Sequence, residues 1–224
     1  MNKFKDNAAT GTSFGILLAL SFSHLANDTL QSVISAVYPM LKESLALSFA
    51  QIGLITLVYQ ISASVFQPVV GFYLDKRPNP WFLPVGMTFT MTGLTTLAFA
   101  HTVTLTVVAV FLVGIGSSIL HPEASRLTSI ASGGKRGLAQ SLFQVGGNFG
   151  GSLGPLLVAL LVAPYGRQHL LIFAFVALAA IAVMYPICKW YKSYLNRMKV
   201  QTVSIRKPVH LPLPMDKTAI SIGI

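Results

Sequence analysis

Six long apolar runs divide this 224-residue chain, and they constrain its fold more than any other feature. A helix needs about 20 mostly apolar residues to cross the roughly 30 Å of hydrocarbon in a bilayer. The runs are far longer than the roughly 10-residue alternating segments of a membrane barrel. Only 10% of the residues are charged, against about 25% in soluble domains, so a water-soluble fold is excluded. We therefore predict an all-α membrane protein whose six spans are residues 14–38, 49–73, 81–100, 103–122, 138–163 and 167–190.

The positive charges indicate how the chain is oriented. The formal net charge is +10, but no basic stripe with interleaved aromatic residues is present, so we expect no nucleic-acid partner. Fourteen of the sixteen Lys and Arg residues fall on one side of the predicted membrane, and only Lys42 and Arg167 fall on the other. The positive-inside rule then predicts that both termini are cytoplasmic. Cys188 is the single cysteine, so an intramolecular disulfide is excluded and no metal site is expected.

The ends of the chain are predicted to lie outside the six-helix lobe of residues 14–190. Residues 1–13 form a cytoplasmic tail, and residues 191–217 form a basic cytoplasmic linker with three prolines. Residues 218–224 are apolar again, but seven residues cannot cross a bilayer. They are interpreted as the start of a truncated seventh span, which makes the chain the first half of a longer protein; a short interfacial tail is the alternative.

The first span carries polar residues on one helical face. Asp28 falls near its centre, where an ionised carboxylate costs about 3 kcal/mol on insertion scales. Such a residue should face a bundle interior or an aqueous cavity, as a protonatable or ligand-contacting group. The alternative is a buried Asp28–His24 pair that only fixes helix packing. The face comprises His24, Asp28, Gln31 and Ser35, with Asn27 beside it.

The second and fifth spans carry milder polar stripes, which include Gln60 on one and Gln144 and Asn148 on the other. Each stripe alone could be explained by hydrogen bonds between helices. Three stripes on three spans are enough to line a hydrated cavity. The fifth span also has small residues at four-residue spacing, which favours close helix packing, and a proline that favours a kink. This predicted packing motif contains Gly147, Gly150, Gly151, Gly154 and Pro155.

Two charged clusters are predicted near the cytoplasmic ends of helices. Asp75, Lys76 and Arg77 follow the second span and can act as a cytoplasmic gate, or simply as a solvated turn. His121, Glu123 and Arg126 crowd the end of the fourth span, where Pro122 can bend the helix. This second cluster can meet an anion or pass protons, and the alternative is a salt bridge at the interface.

The pattern of spans and loops resembles the N-terminal half of a major facilitator superfamily transporter, which has twelve helices in two six-helix halves. Gly71 to Arg77 resembles in part the superfamily's loop motif G-x-x-x-D-[RK]-x-G-[RK], and Gly150 to Pro155 resembles its antiporter motif G-x-x-x-G-P. The resemblance implies that the lobe is built from two inverted three-helix repeats.

Several segments are similar to the fosmidomycin resistance protein group: Ser23 to Asp28, Phe66 to Gly71, Leu120 to Glu123, Ala131 to Gly134 and Phe143 to Asn148. This similarity implies an inner-membrane exporter of a small anionic phosphonate, driven by the proton gradient and without a cofactor. It implies that Asp28 with His24 responds to protons, and that Arg126 or His121 contacts the anion. The expected partners are the lipid bilayer, the phosphonate and a C-terminal six-helix lobe.

Two other functions remain open. The chain can be an inactive truncated fragment, or a half-transporter that works only with a partner lobe. A remote alternative is a rhomboid-like intramembrane protease, because Gly116-Ser117-Ser118 is similar to the G-x-S of that family. The one histidine of the sixth span, His169, sits at its outer edge, while Ser118 lies near the cytoplasmic end of the fourth span. Nucleophile and base would be most of a bilayer apart, so an enzyme is not expected.

Overall fold

The structure, a computed structural model, describes residues 11–206 and the side chains of residues 11–200. This part of the chain contains α-helices, one π-helical turn and one 3₁₀ turn, and it has no strand, which confirms the prediction of an all-α fold. The helices are α1 (Phe14–Ala36), α2 (Tyr38–Ser44), α3 (Phe49–Ser64), α4 (Phe66–Lys76), α5 (Phe82–Ala98), α6 (Val103–Ala131), α7 (Arg136–Leu157) and α8 (Ile172–Arg206), with the π turn at Val158–Val162 and the 3₁₀ turn at Arg167–Leu171.

The helices correspond to the six predicted spans. Among the described residues, four segments are long and apolar enough on their own to cross a membrane: Phe49–Lys76, Val103–Ala131, Arg136–Val162 and Arg167–Val200. Helix α5 is a shorter apolar helix. Helix α1 has 23 residues, which is long enough to span, but its polar face lowers its mean hydropathy. The first predicted span is therefore less apolar than the four longer segments, and the third is shorter than they are.

Two helices extend beyond their predicted ends. Helix α6 continues through Pro122 to Ala131, because one missing backbone donor is outweighed by a buried face that includes Ala124 and Leu127. Helix α8 continues to Arg206, so the first part of the predicted linker at 191–217 is helical and not irregular. Residues 1–10 and 207–224 lie outside the described residues, and with them most of the predicted tail and the predicted seventh span.

Helix α7 packs against α1 through glycines in register. A methyl group at Gly150 would overlap the backbone carbonyl of Leu25, and one at Gly154 would lie 2.6 Å from the carbonyl oxygen of Thr29. Gly146 makes the same approach to Ser21. The four-residue spacing on α7 thus matches a four-residue spacing on α1, which confirms the small-residue packing that the sequence predicts for Gly150 and Gly154.

Helix α6 lies at the centre of the bundle and contacts α1, α3, α4, α5 and α7. Its end is joined to the start of α1, where the Ser13 amide donates to the Ala131 carbonyl at 3.0 Å. At the other end of the bundle the Arg167 guanidinium donates to the Ser44 hydroxyl at 3.4 Å. Within the described residues, those up to Lys192 form one compact unit, and the helical residues from Ser193 to Arg206 belong to a second.

Candidate functional site

Three ionisable side chains from α1 and α6 meet inside the bundle. His24 and Asp28 are one helical turn apart on α1, and Nε2 of His24 lies 3.1 Å from Oδ2 of Asp28. His121 on α6 reaches the other oxygen of the same carboxylate, with Nε2 at 3.3 Å from Oδ1. His24 is 3% exposed and Asp28 is 23% exposed, so the carboxylate is the more accessible of the two. We call these three residues the His–Asp–His cluster.

The backbone fixes the orientation of both imidazole rings. Nδ1 of His24 lies 2.8 Å from the carbonyl oxygen of Phe143, and the ring stacks on the Phe143 ring with centroids 3.9 Å apart. Nδ1 of His121 lies 3.1 Å from the carbonyl oxygen of Ser117. A carbonyl oxygen can only accept hydrogen bonds, so both Nδ1 atoms carry the hydrogen and donate it. Each Nε2 atom is thereby left to face Asp28.

This arrangement determines where protons can be held. In neutral imidazoles of this tautomer, both Nε2 atoms are acceptors that face a carboxylate made only of acceptors. The two short contacts to Asp28 become attractive only when a positive charge lies within them, as a proton on the imidazole or on the carboxyl group. The His–Asp–His cluster therefore provides two positions for protons on one carboxylate.

Gly147 makes room for this cluster. A methyl group at Gly147 would overlap the His24 ring and would lie 2.8 Å from Oδ2 of Asp28. Gly151, one turn further along α7, has nothing within 4 Å of such a methyl group and borders the cavity. Of these two members of the predicted packing motif, Gly147 therefore meets α1, and Gly151 faces open space among the described residues.

Amide and hydroxyl groups extend the cluster into a polar network. Gln31 donates to Oδ1 of Asp28 at 3.4 Å, and its own carbonyl oxygen accepts from the Tyr59 hydroxyl at 2.8 Å and from the Ser117 hydroxyl at 2.9 Å. Asn27 donates to the same carboxylate oxygen at 3.3 Å, while its buried Oδ1 has no partner among the described residues. The network joins helices α1, α3 and α6 around Asp28.

A cavity of about 330 Å³ opens beside Asp28 and His121. Its other lining residues carry mostly hydroxyl and amide groups: Gln31, Ser32, Ser35, Tyr38, Thr56, Tyr59, Gln60 and Gly151. The cavity has the size and the convergent polar groups of a small-molecule site. It lies between α1, α3, α6 and α7, as the prediction of a hydrated path requires.

Not all predicted pathway residues reach this cavity. Gln60 lines it, but Gln144 and Asn148 are exposed on α7 and hydrogen-bond to each other at 3.3 Å. The hydrogen bonds of residues 11–206 join neither of them to the His–Asp–His cluster, while Gly146 and Gly150 on another face of α7 pack against α1. Asn148 and Gln144 lie one and two turns before Gly151, which borders the cavity, so their place along the path stays a prediction.

The predicted cluster at His121, Glu123 and Arg126 is divided in two. Positions 121 and 123 lie about 200° apart around a helix, so His121 turns to Asp28 while Glu123 turns to the other side. Arg126 donates to Glu123 at 2.7 and 3.0 Å and to the Tyr191 hydroxyl at 2.7 Å. Glu123 is 1% exposed, and its second oxygen has no partner in the described part of the chain.

The predicted gate residues lie at the end of α4. Asp75, Lys76 and Arg77 are all exposed, and the Lys76 ammonium lies 4.1 Å from the centre of the Phe72 ring. Asp75 lines a cavity of about 500 Å³ that Glu123 and Arg126 also line. Tyr59 and Tyr38 were not among the predicted site residues, because Tyr59 falls beside the polar stripe of the second span and Tyr38 is the last residue of the predicted first span. Only their hydroxyl contacts reveal them.

Ser117 and Ser118 lack the features of a nucleophile. The Ser117 hydroxyl lies 3.3 Å from Nδ1 of His121, but it donates to Gln31 and the residue is 1% exposed. The Ser118 hydroxyl donates to the Ile115 carbonyl at 2.8 Å and is fully buried. Both hydroxyls serve as structural hydrogen-bond donors, so the rhomboid-like interpretation loses its geometric basis.

The family model described as Major Facilitator Superfamily matches residues 20–209. The chain belongs to the major facilitator superfamily. This membership confirms a transporter fold and a multi-pass membrane protein, and it confirms the expectation of a transport protein over an enzyme.

Relatives within the superfamily are substantially similar to this chain. It is 50% identical to the fosmidomycin resistance protein of Escherichia coli (strain K12) over 95% of this chain and 52% of that protein. It is 46% identical to an uncharacterised MFS-type transporter, YfnC, of Bacillus subtilis (strain 168) over 84% of this chain and 46% of that protein. The chain thus spans about half the length of these relatives.

Solved superfamily structures share the fold. A bacterial homologue of the human lysosomal transporter Spinster, in an inward-facing and unoccupied conformation, aligns with a TM-score of 0.62 at 18% identity, covering 78% of this chain and 42% of that one. The peptide transporter POT in complex with alafosfalin aligns with a TM-score of 0.62 at 19% identity, covering 86% and 44%. At this identity the likeness shows the fold alone: this major facilitator chain matches about half of each two-lobed transporter.

Proposed function

We propose that this chain is the N-terminal lobe of a proton-coupled exporter of a small anionic compound, such as a phosphonate of the fosmidomycin type. It would lie in the inner membrane with both termini in the cytoplasm, as the positive-inside rule predicts. The substrate class is supported by 50% identity to a fosmidomycin resistance protein. The missing half of the path would come from a C-terminal six-helix lobe.

One observation carries this proposal. The Asp28 carboxylate borders a cavity and contacts the imidazoles of His24 and His121, and the second nitrogen of each imidazole donates to a backbone carbonyl. Asp28 and His121 both line the 330 Å³ cavity, so protons on this cluster and a substrate anion would lie within one electrostatic site. A change in the protonation of His121 or Asp28 changes the charge that a substrate anion meets in this cavity. Binding of protons and of substrate are therefore linked by charge.

The structure favours His121 over Arg126 as the contact for the anion. The guanidinium of Arg126 is already neutralised by Glu123 at 2.7 Å, and it does not line the cavity beside Asp28. His121 is 27% exposed and faces that cavity. The Tyr38 hydroxyl, which lies 3.0 Å from the Thr56 hydroxyl, also lines this cavity, while the Tyr59 hydroxyl already donates to Gln31. Together these groups form a site for a small, singly or doubly charged oxyanion.

The deciding experiment measures export of fosmidomycin from cells that make this chain together with a C-terminal lobe, with and without a proton uncoupler. Asp28→Asn should abolish uncoupler-sensitive export. Glu43→Gln, which neutralises an exposed carboxylate on α2, should leave export unchanged. Unchanged export in Asp28→Asn would remove Asp28 from the proton path. Expression of the chain alone and as a pair of identical lobes tests whether the half works without its partner.

The exposed Asp75–Lys76–Arg77 segment is proposed as the cytoplasmic gate. It ends α4 beside the 500 Å³ cavity, where its carboxylate can meet a positive helix end or a base on the other lobe. Asp75→Asn should increase the accessibility of a cysteine introduced at Ser129, which lines the same cavity, from the cytoplasmic side. Equal labelling with and without the substitution would exclude a gating role.

A further inference from the structure

Three atoms that ligate metals converge at the His–Asp–His cluster. Nε2 of His24, Nε2 of His121 and a carboxylate oxygen of Asp28 all lie within 4.8 Å of one another. The two nitrogen-to-oxygen distances are 3.1 and 3.3 Å. In a tetrahedral site with bonds of about 2.0–2.1 Å, neighbouring ligand atoms are about 3.3 Å apart. Each nitrogen therefore lies at about this ligand-to-ligand distance from the Asp28 carboxylate, His24 from Oδ2 and His121 from Oδ1.

The outer contacts of both imidazoles are those of metal ligands. A ligating histidine almost always donates its other ring N–H to a carboxylate or a backbone carbonyl, which fixes the tautomer and the ring plane. Here His24 donates to the Phe143 carbonyl at 2.8 Å and His121 donates to the Ser117 carbonyl at 3.1 Å. Each anchor leaves the Nε2 lone pair directed at Asp28. The same kind of backbone hydrogen bond thus fixes two histidines on different helices, which is the outer arrangement of a metal site.

One side of the cluster is closed and the other is open. The lack of a side chain at Gly147 lets α7 approach His24 and Asp28 closely on the closed side. His121 and Asp28 border the 330 Å³ cavity, so a fourth coordination position would open into it. Three protein ligands with one open position is the arrangement of metal sites that bind an exchangeable water or anion.

We propose that His24, Asp28 and His121 bind one divalent transition-metal ion, of which Zn²⁺ is the representative, with an open position toward the cavity. Two imidazoles and one carboxylate favour Zn²⁺, Co²⁺ or Ni²⁺ over Ca²⁺ and Mg²⁺, which favour oxygen-only sites. The ion would occupy the positions that the two protons otherwise hold. A doubly charged ion there would also present a Lewis-acidic position to an oxyanion in the cavity.

The test measures metal binding by the purified full chain in detergent micelles, with no polyhistidine tag, using Zn²⁺ alone in calorimetry and Co²⁺ alone in absorption spectroscopy. We expect one ion per chain, displacement of Co²⁺ by Zn²⁺, and the visible absorption of a four-coordinate Co²⁺ site. Calcium should produce no comparable heat. Absence of saturable Zn²⁺ and Co²⁺ binding by the unmodified chain would overturn the proposal.

The chain offers matched controls, because two of its five histidines lie in the cluster and three lie elsewhere. Asp28→Asn, His24→Gln and His121→Gln should each weaken Zn²⁺ binding at least tenfold. A variant with His101→Gln, His169→Gln and His210→Gln together should keep the affinity within twofold. The reverse pattern contradicts the site. Circular dichroism and size-exclusion profiles identify variants that fail to fold, and His121→Gln, at the most exposed of the three ligands, keeps the test decisive.

Metal binding and transport can be separated. Export that remains uncoupler-sensitive in a chain that binds no metal refutes the metal site and leaves the transporter proposal in place. A second outcome is that the unmodified chain binds metal saturably while its Asp28→Asn variant still exports normally. This result supports the metal site and refutes the proton role of Asp28.

Discussion

Nε2 of His121 on α6 lies 3.3 Å from Oδ1 of Asp28 on α1. This contact joins two helices through a carboxylate that already accepts His24 on its other oxygen. It converts a costly intramembrane charge into a three-residue cluster with defined proton positions, and it places that cluster on the wall of a cavity. Both the proposed function and the proposed metal site depend on this contact.

Gly147→Ala should disrupt the cluster while leaving the helix in place. The added methyl group overlaps the His24 ring and approaches Asp28, so the imidazole must move off its anchor on Phe143. We expect a loss of proton-dependent transport of about tenfold or more, as for a misplaced catalytic group. Gly137→Ala, at the start of the same helix, is the matched control, since nothing lies within 4 Å of its methyl group. Equal activity of the two variants in vesicle transport would contradict the assignment.

Gly150→Ala should destabilise the lobe. Its methyl group overlaps the Leu25 carbonyl, so α1 and α7 must separate, and overpacking of this kind costs about 1–3 kcal/mol. Thermal unfolding in detergent, followed by circular dichroism, measures the effect as a lower Tm. Gly53→Ala on α3 has open space around it and should leave the Tm unchanged or slightly higher.

The Glu123–Arg126 pair should show strong coupling. Arg126→Met leaves the carboxylate of Glu123 buried and unpaired, which costs about 3–5 kcal/mol in comparable buried pairs. Replacing Glu123→Gln in addition removes that charge and should recover most of the loss. A double-mutant cycle on the free energy of unfolding checks the coupling, and strictly additive effects would show that the two side chains act independently.

Tyr59→Phe should weaken the polar network without breaking the fold. The variant removes the hydroxyl that donates to Gln31 at 2.8 Å, a bond worth about 1 kcal/mol. Because Gln31 also contacts Asp28, we expect a several-fold rise in the substrate concentration for half-maximal transport. Tyr73→Phe, which removes an exposed hydroxyl near the end of α4, is the control. A similar rise in both variants would assign the effect to general loss of stability.

Sequence periodicity was sufficient for the spans and for the polar face of α1. An apolar run of about 20 residues has few alternatives in a bilayer, because unpaired backbone groups cannot be left in hydrocarbon. The four-residue spacing of His24 and Asp28 places both on one face whatever surrounds the helix. The spacing of Gly150 and Gly154 similarly predicted a close helix contact, which α1 provides.

The partners of those faces could not be read from one helix at a time. Gln144 and Asn148 have the same four-residue spacing as His24 and Asp28, yet in the described part of the chain they hydrogen-bond to each other and not to the cluster. The sequence groups His121 with Glu123 and Arg126 at a helix end. In the structure the helix continues through Pro122, so His121 and Glu123 lie on different faces. Periodicity shows which residues share a face, and it does not show which helix that face meets.

Local chemistry in the sequence therefore determined the helices, their membrane-spanning lengths and the presence of an expensive charge at Asp28. Tertiary packing alone decided that His121 would share this charge, that Gly147 would make room for it and that Tyr59 would face it across a cavity. The physical reason is the range of the interactions along the chain. Hydration and helix periodicity act within one or two turns of a helix, whereas a hydrogen bond of about 3 Å between helices depends on how those helices are placed.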